Sequence, residues 1–328
     1  MYQTKLNLKE TEIAIKQVKD NFENILARCL QLMRVSAPLF VYTKSGLNDN
    51  LSGTEKPVSF VAKNISNDEI EIVHSLAKWK RMALSHYGFH HGEGLYTDMN
   101  AIRKDEEVDH LHSIYVDQWD WEKLIRKEDR NLDYLKDTVR SIVHALYLAQ
   151  EDVIKSFPSL ERYIEDDVYF ITTQELEKMY PDLTSKEREH EICRHHHITF
   201  IIGIGWPLAS GKPHDSRSPD YDDWNLNGDL LIYHPYLDES IEVSSMGIRV
   251  DRESLLKQIE YKKANERLAY PYHNMIVSGE LPYTIGGGIG QSRICLLLLN
   301  KIHIGEVQSS LWSDDVLKEC QEKNIKLL

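Results

Sequence analysis

The sequence GGGIGQSRICLLLL occupies residues 286–299 and joins a run of glycines to an apolar stretch. Glycines let a backbone approach a nucleotide closely, and the free N–H groups at the start of a helix favour an anion. We therefore expect the glycines to lead into a helix from about residue 290 to residue 299, with Arg293 placed to reach a phosphate. The segment lacks the Lys-Ser/Thr pair of a Walker A loop and the βαβ context of a Rossmann fingerprint. The alternative is a close-packed glycine turn followed by a solvent-exposed arginine.

A second polar segment is LHSIYVDQWDWE, residues 111–122. Strand alternation would put Ile114, Val116, Gln118 and Asp120 on one face, which changes from apolar to polar along its length. A strand whose end lines a site has this pattern, and Arg103 stands a short distance upstream. The alternative is an edge strand with a solvated polar end.

A third segment, residues 227–249, offers Asp229 and Glu242 on neighbouring predicted strands, followed by Ser245 and Arg249. Two carboxylates that face each other across a hairpin can hold Mg²⁺ together with phosphate oxygens. The alternative is that both acids face solvent, since the chain is acidic overall.

Two further segments have simple interpretations when they are taken alone. HSLAKWKR, residues 74–81, is typical of an amphipathic helix end with solvated lysines. SPDYDDW, residues 218–224, is typical of a Pro-Asp surface turn.

The histidines suggest only a weak metal hypothesis. His190, Cys193 and His197 would share a face if residues 186–197 were helical, but no second cluster completes a tetrahedral set. A Ser-His-Asp hydrolase is disfavoured because the sequence has no GxSxG segment.

Composition narrows the class of protein. The chain has 328 residues and a net charge of −13, which argues against a dedicated nucleic-acid binder. Its longest purely apolar run, residues 294–299, is too short to span a bilayer, and the start MYQTKLNLKE has no hydrophobic signal core. The four scattered cysteines suit reduced thiols. We expect a cytoplasmic protein without a membrane partner.

Hydrophobic periodicity predicts the main elements. Long helices are expected over about 11–33, capped by Thr11, and over 132–157. Capping boxes at Thr172–Glu175 and Thr184–Glu187 open short helices, and Asp251 caps a helix that runs to about Leu268. The expected strands cover residues 59–63, 69–75, 198–205, 229–235 and 239–250.

Runs of strands with hairpin-like links favour an α+β domain over a doubly wound parallel sheet. Because the sequence shows no linker, repeat or low-complexity tract, we expect residues 1–328 to form a single domain with a mostly antiparallel sheet flanked by helices.

Taken together, these segments resemble the catalytic domain of class II aminoacyl-tRNA synthetases, in particular the aspartyl branch. VSAPLF with Pro38 is similar to the dimer-forming first motif. Arg103 and the strand that carries Asp120 are similar to the second motif, and GGGIGQSR with Arg293 to the third. The resemblance implies a homodimer.

A closer resemblance is to the ammonia-dependent asparagine synthetases, the aspartate–ammonia ligases, over nearly the whole chain. The chain departs from that pattern where only Asn225 and Leu226 separate Trp224 from NGD, and where Ser218 replaces an expected Ala. The stretches that carry the resemblance are NLSG (50–53), HSLAKWKR, GEGLYTDM, HSIYVDQWDWE, SPDYDDW, LNGD, SSMGIRV and TIGGGIGQSR.

The resemblance implies that ATP and L-aspartate form β-aspartyl-AMP, which ammonia converts to L-asparagine. By this resemblance the nucleotide is bound by Arg103, Glu242 and Arg293, and Mg²⁺ is carried by Asp229 and Glu242 with Ser245 close by. The aspartate carboxylate that is not activated is anchored by Lys80 and Arg249, aspartate also contacts Ser75, and the reacting group is oriented by Gln118. Ammonium or ammonia is bound by Asp49, Asp120 and Asp222.

Two alternatives remain: a shortened aspartyl-type synthetase that charges tRNA, and a non-catalytic regulator. We do not expect tRNA as a partner, because the catalytic segments begin almost at once, without an anticodon-binding barrel. Free ammonia is the expected nitrogen source, because no cysteine nucleophile stands near Met1. Retention of the charged motif residues disfavours the regulator.

Overall fold

The computed structural model describes residues 2–49, 51 and 55–328. Its strands form one eight-stranded sheet and one three-stranded sheet. The strands are β1 (Leu32–Arg34), β2 (Phe40–Tyr42), β3 (Ser59–Val61), β4 (Glu69–Ile72), β5 (Gly94–Ile102), β6 (Tyr115–Leu124), β7 (Tyr169–Thr172), β8 (Ile198–Ile202), β9 (Asp222–His234), β10 (Glu239–Arg249) and β11 (Thr284–Gly290).

Helices flank the large sheet, and short 3₁₀ turns at Thr43–Ser45, Asn265–Ala269 and Ile304–Glu306 join some of the elements. The α-helices are α1 (Leu8–Leu30), α2 (Ala77–Tyr87), α3 (Leu132–Ser156), α4 (Thr173–Met179), α5 (Ser185–His195), α6 (Arg252–Lys262), α7 (Pro271–Ser278), α8 (Gln291–Leu298) and α9 (Asp314–Glu322).

The large sheet has the strand order β1-β5-β6-β11-β10-β9-β8-β7. Its six central strands pair antiparallel, and only the two outermost pairs, β1 with β5 and β7 with β8, are parallel. The α+β prediction with a mostly antiparallel sheet is confirmed. The predicted strand pair at 59–63 and 69–75 is also present, as the shorter β3 and β4 of the small sheet.

One face of the large sheet packs against helices. Trp119 and Trp121 of β6 are fully buried there, and the ring of Phe22 from α1 lies 4.7 Å from that of Trp119. The predicted apolar stripe of α3 is buried in the same core. Because side chains alternate along a strand, Gln118, Asp120 and Glu122 must point to the opposite face.

Most predicted boundaries agree with the structure, and both capping boxes, at Thr172 and Thr184, are formed. Helix α1 differs: it begins at Leu8 and is capped by Asn7, whose side chain accepts from the N–H of Glu10. Thr11 is instead buried inside the helix, because the capping box of α1, formed by Asn7 and Glu10, lies about one turn earlier. Met33 lies in β1 with a 57% exposed side chain, outside the helix to which periodicity assigned it.

The helix capped by Asp251 is also shorter than predicted. It ends at Lys262, where Lys263 takes a left-handed conformation, and a 3₁₀ turn continues to Ala269. The α-helix therefore ends before Leu268, to which the prediction extended it.

The glycine run leads directly into α8, as predicted, but it lies on a strand and not in the turn that the alternative interpretation gave it. In β11, Gly286 pairs with Glu122, Gly288 with Asp120 and Gly290 with Gln118. A Cβ atom on Gly286 would lie 2.0 Å from Oε2 of Glu122, and one on Gly288 would lie 2.4 Å from Oε1 of Gln118. The glycines therefore make room for the polar side chains of the neighbouring strand to lie across β11.

Two alanine substitutions in this strand test that interpretation. Gly286→Ala should lower the free energy of unfolding by about 2 kcal/mol, since the new methyl group overlaps a buried carboxylate. In the matched control Gly290→Ala, the nearest heavy atom is 3.4 Å from the new Cβ, so the change should stay within about 1 kcal/mol. Urea unfolding of both variants measures the difference. Equal effects would contradict the close-packing role.

Candidate active site

The polar face of the large sheet forms the floor of a cavity of about 300 Å³, a size that accommodates a small ligand. Lining residues come from α2, β6, β10, β11 and the segments before β6 and β9. The structure brings to this cavity the following residues that the sequence suggested for a site: Asp49, Ser75, Lys80, Arg103, Gln118, Asp120, Asp222, Glu242, Ser245, Arg249 and Arg293.

Helix α2 directs its basic residues inward, which contradicts the interpretation of solvated lysines. Lys78, Lys80 and Arg81 are each no more than 3% exposed. The Arg81 guanidinium donates to the carbonyl groups of Pro282 and Val250, at 2.9 and 2.7 Å. These partners lie on distant segments, which no local sequence pattern indicates.

Lys80 occupies one end of the cavity. Its Nζ donates to the carbonyl oxygen of Gly287 at 2.8 Å and lies 3.2 Å from Oδ2 of Asp120. Burial lowers the pKa of Lys80, although the Asp120 carboxylate opposes this effect. The ammonium group is therefore held by one carboxylate and one carbonyl in a desolvated position.

Arg249 lies beside Lys80 and is bound by two carboxylates. Its Nε and Nη2 donate to Glu122, with Nη2 at 2.7 Å from Oε2, and its Nη1 contacts Asp222. Burial opposes the charge of Arg249, but Glu122 and Asp222 hold its pKa well above the usual value. Burial raises the pKa of Asp222, although Arg249 opposes the rise.

Glu122 is a site residue that the sequence interpretation did not include. It is fully buried, and it also accepts a hydrogen bond from Thr284 Oγ1 at 2.7 Å. The strand alternation that selected Gln118 and Asp120 would also have selected Glu122, two residues further on. The existing pattern was therefore sufficient to find it.

Irregular pairing between β9 and β10 aligns the remaining side chains. Glu242 and Arg249 are seven residues apart, so a regular strand would place them on opposite faces. The register shifts at Val243, between Glu242 and Ser244, and this bulge returns Glu242 to the face of Ser245. A second shift, opposite Gly247 and Arg249, accommodates the short Asn225–Leu226 segment within β9 and places Asp222 opposite Arg249.

Arg103 and Arg293 lie at the other end of the cavity, near Glu242, which is seven residues from Arg249 along β10. Arg293, in the first turn of α8, donates from Nη1 to the carbonyl oxygen of Glu242 at 2.7 Å. Arg103 has a buried Nε without a hydrogen-bond partner among the described residues. Burial would raise the pKa of Glu242, but Arg293 and further cations, including Arg103, lower it. Three guanidinium groups, those of Arg293, Arg217 and Arg103, therefore act on Glu242.

Asp229 is the one predicted site residue that does not line the cavity surface. It is 5% exposed, and its Oδ2 contacts the guanidinium of Arg217. Its Oδ1 is buried and has no partner among the described residues. Burial and the nearby Glu242 raise the pKa of Asp229 to about 7, although Arg217 opposes the rise. Sequence analysis missed Arg217, which directly precedes the SPDYDDW segment.

Asp49 is 3% exposed and lines the cavity. Burial raises its pKa, although Lys78 opposes the rise. Its Oδ1 accepts from the N–H of Leu51 at 3.1 Å. The other residues of the NLSG motif, at 50, 52 and 53, lie outside the described part of the chain.

The SPDYDDW segment is buried, so its interpretation as a surface turn is wrong. Asp220 is fully buried and pairs with Lys78 at 2.8 Å, Arg267 at 2.9 Å and His273 at 2.8 Å. Burial would raise the pKa of Asp220, but Lys78, His273 and Arg267 hold it well below the usual value. This network fixes the chain directly before Asp222.

The histidine–cysteine metal hypothesis fails. Helix α5 ends at His195, so His197 lies beyond it, and Cys193 is buried in an apolar cluster. Within residues 2–49, 51 and 55–328, no group of three or more His, Cys, Asp or Glu side chains could hold a metal ion. An Asp229–Glu242 site would therefore need ligand oxygens to complete its coordination.

Comparison with solved structures identifies the class to which this fold belongs, that of the class II aminoacyl-tRNA synthetases. The asparaginyl-tRNA synthetase from Pyrococcus horikoshii, complexed with asparaginyl-adenylate, matches 92% of this chain and 70% of its own, with a TM-score of 0.68 and 15% identity. The aspartyl-tRNA synthetase from Entamoeba histolytica matches 91% of this chain and 58% of its own, with a TM-score of 0.60 and 17% identity. At such identities the likeness concerns the fold.

The chain belongs to the aspartate–ammonia ligase family, whose model matches residues 9–324. The aspartate–ammonia ligase of Clostridium perfringens strain SM101 is 61% identical over 100% of this chain and 97% of its own length. That of Clostridium tetani is 58% identical over 100% of this chain and 96% of its own. The predicted family is confirmed, and the protein is a ligase. Membership supports the synthesis of asparagine from aspartate and ammonia. No described helix is long and apolar enough to cross a membrane.

Proposed function

We propose that the protein joins L-aspartate and ammonia to form L-asparagine through β-aspartyl-AMP, with release of pyrophosphate and AMP. The observation that carries this proposal is the division of one cavity into two ends. Arg103 and Arg293 act on Glu242, and Lys80 lies beside Arg249, which is seven residues from Glu242 along β10. Aspartate, which has an ammonium group and two carboxylates, would meet charges of the opposite sign at the end with Lys80 and Arg249. The triphosphate of ATP would meet them at the end with Arg103 and Arg293.

Activation comes first, because a free carboxylate has no suitable leaving group for attack by ammonia. A β-carboxylate oxygen attacks the α-phosphorus of ATP, and pyrophosphate leaves with the electron pair of the broken P–O bond. Arg103 stabilises the charge that develops on the α-phosphate, and Arg293 holds the phosphates beyond it. Gln118 of β6 lines the cavity and orients the reacting carboxylate.

Recognition of aspartate depends on an exchange of partners. Lys80 and Arg249 bind the carboxylate that is not activated, which presents the β-carboxylate to ATP. In the structure Asp120, Glu122 and Asp222 already neutralise these cations. The same acids can accept the ammonium group of the substrate, and Ser75 adds a hydroxyl at this end.

Ammonia then attacks the carbonyl carbon of the mixed anhydride, and AMP leaves with the electron pair of the C–O bond. The attacking nitrogen must lose a proton. Asp49, Asp120 and Asp222 are the candidate acceptors among the carboxylates that line the cavity, and burial raises the pKa of Asp49 and Asp222. A carboxylate with a raised pKa is a stronger base, which suits it to hold ammonium and to accept a proton.

Asp229 and Glu242 fit a magnesium site. Their carboxylates lie on the same sheet face, the site offers hard oxygen donors, and the buried Oδ1 of Asp229 has no described partner. Ser245 lies opposite Asp229 on the neighbouring strand. When bound, Mg²⁺ would neutralise the phosphate oxygens of ATP and of departing pyrophosphate.

An assay of purified protein with ATP, aspartate and Mg²⁺ tests the reaction. AMP and pyrophosphate should accumulate with asparagine when ammonium chloride is added, and one ¹⁸O atom from labelled β-carboxylate should appear in AMP. ADP as the product, or no transfer of label, would contradict the acyl-adenylate. Dependence on tRNA instead of ammonium would indicate a tRNA synthetase.

Variants at the two ends should affect different substrates. Lys80→Ala should raise KM for aspartate by about tenfold or more, and Arg293→Ala should raise KM for ATP. Arg103→Ala should lower kcat by roughly 10²–10³-fold, because its contact strengthens in the transition state. Steady-state kinetics separates these effects, with the exposed Arg162→Gln as a control. An ATP defect alone in Lys80→Ala would refute its role as the carboxylate anchor.

We also propose that the protein is a homodimer that uses the surface around β1, β2 and β3. Strand β1 is an edge of the large sheet, and Phe40 and Phe60 pack edge to face on the small sheet. Exposed apolar side chains at such an edge favour association. They are Met33, Leu39, Phe40, Phe60, Val61 and Ile65, from 40% to 68% exposed.

Sedimentation should give twice the chain mass of 38.2 kDa. Phe60→Asp should yield a monomer, because it places a charge in the proposed interface. Leu311→Asp, at a 77% exposed site elsewhere, should leave the dimer intact. A wild-type monomer would refute the proposal.

A further inference from the structure

Arg217 has no role in the reaction described above, although its side chain reaches into the cavity. The side chain is 13% exposed, and it belongs to the segment between β8 and β9. Its Nη1 donates to Oδ2 of Asp215 at 2.9 Å, and its Nη2 contacts Oδ2 of Asp229. The guanidinium therefore bridges a half-exposed acid, Asp215, and a buried acid, Asp229.

The surroundings of Arg217 are strongly acidic. Glu242 lies on the same sheet face as Asp229, and Glu189 and Asp215 add to the negative potential at Asp229. Glu189 is held by Lys186 and His214, at 2.8 and 3.0 Å. Arg217 is therefore the cation in direct contact with Asp229 among the described residues. A buried carboxylate needs such a partner, because an unpaired buried charge is costly.

A divalent cation on Asp229 and Glu242 would compete with this contact. The cation and the guanidinium would share one carboxylate, and like charges repel strongly where water is excluded. Phosphate oxygens remove the conflict in two ways, because they coordinate the metal and also accept hydrogen bonds from a guanidinium fork. The metal and the nucleotide should therefore bind together more readily than the metal alone.

We propose that Arg217 is the counter-cation of the Asp229–Glu242 pair when no ligand is bound. A divalent metal replaces it there only when a nucleoside triphosphate provides phosphate oxygens that bind its guanidinium. Arg217 thus opposes the binding of free metal and supports the binding of the metal–nucleotide complex. By linkage, departure of the phosphates favours return of Arg217 to Asp229 and release of the metal. The inference rests on the metal site assigned under the proposed function.

Direct binding experiments on the whole protein test it, with Mn²⁺ as the probe and no aspartate present. Electron paramagnetic resonance of free Mn²⁺ should show that Arg217→Gln binds Mn²⁺ without nucleotide about tenfold more tightly than wild type. Calorimetry with ATP and saturating Mn²⁺ should show weaker ATP binding to the same variant. If Arg217 had only a structural role, the variant would bind both Mn²⁺ alone and ATP more weakly than wild type. Unchanged or weaker binding of Mn²⁺ alone would overturn the proposal.

Further variants keep the test decisive. Arg217→Lys retains the charge but loses the fork that bridges Asp215 and Asp229, so it should bind Mn²⁺ more tightly than wild type by a smaller factor. If Arg217→Gln does not fold, the proposal is overturned when Arg217→Lys binds Mn²⁺ alone with the same affinity as wild type. Arg162→Gln, on an exposed Arg162–Glu151 pair, should match wild type in both measurements.

Adding Asp229→Asn to Arg217→Gln separates this inference from the metal assignment. If the double variant loses the tight Mn²⁺ binding, the result supports both the metal site at Asp229 and the role of Arg217. If tight binding persists, the metal lies elsewhere and the assignment to Asp229 fails. If Asp229→Asn abolishes Mn²⁺ binding with ATP while Arg217→Gln gains no affinity, the metal site stands and the role of Arg217 is refuted.

Discussion

The buried charges of Lys80 and Arg249 are neutralised by neighbouring carboxylates, and the rest of the site depends on this pairing. Lys80 with Asp120, and Arg249 with Glu122 and Asp222, are ion pairs of almost completely buried side chains. Removing one member of such a pair leaves an uncompensated charge away from water, which is strongly destabilising. In the proposed reaction, substrates therefore exchange partners with the protein's own groups. Specificity then follows from how well a ligand replaces each carboxylate or guanidinium.

The antiparallel sheet makes this density of charge possible. Strand β6 supplies Gln118, Asp120 and Glu122 on one face, and the glycines of β11 leave the space that these side chains occupy. Bulges between β9 and β10 align Glu242, Arg249 and Asp222 on the same face. Two tryptophans of β6 fix the other face in the core. The strand backbones therefore position the site rigidly, as close side-chain geometry requires.

The similarity to tRNA synthetases concerns the fold, whereas family membership concerns the ligase. The proposed chemistry needs the same first step that an adenylate-forming fold can provide, activation of a carboxylate. The second step of the proposed reaction differs from that of a tRNA synthetase only in the nucleophile, which is ammonia instead of tRNA. Here the acids Asp49, Asp120 and Asp222 lie where a small cationic or neutral amine could bind. This difference in acceptor is compatible with one scaffold, because function resides in the site and not in the fold.

The sequence determined the α+β class, most element boundaries, the family and a set of site residues that the structure brings to one cavity. Periodicity and motif order are local, and they remain visible in a single chain. Sequence patterns were wrong about the lysines of α2, the turn at 218–224 and the cap of α1, and they missed Glu122 and Arg217. Local patterns could have found Glu122 and the cap of α1. Only the tertiary structure decided the other points, because the partner of a buried charge lies on another segment of the chain: Lys78 of α2 meets Asp220 of the 218–224 segment, and Arg217 meets Asp229 of β9. Which charge is buried and paired is a property of packing, and local patterns do not record it.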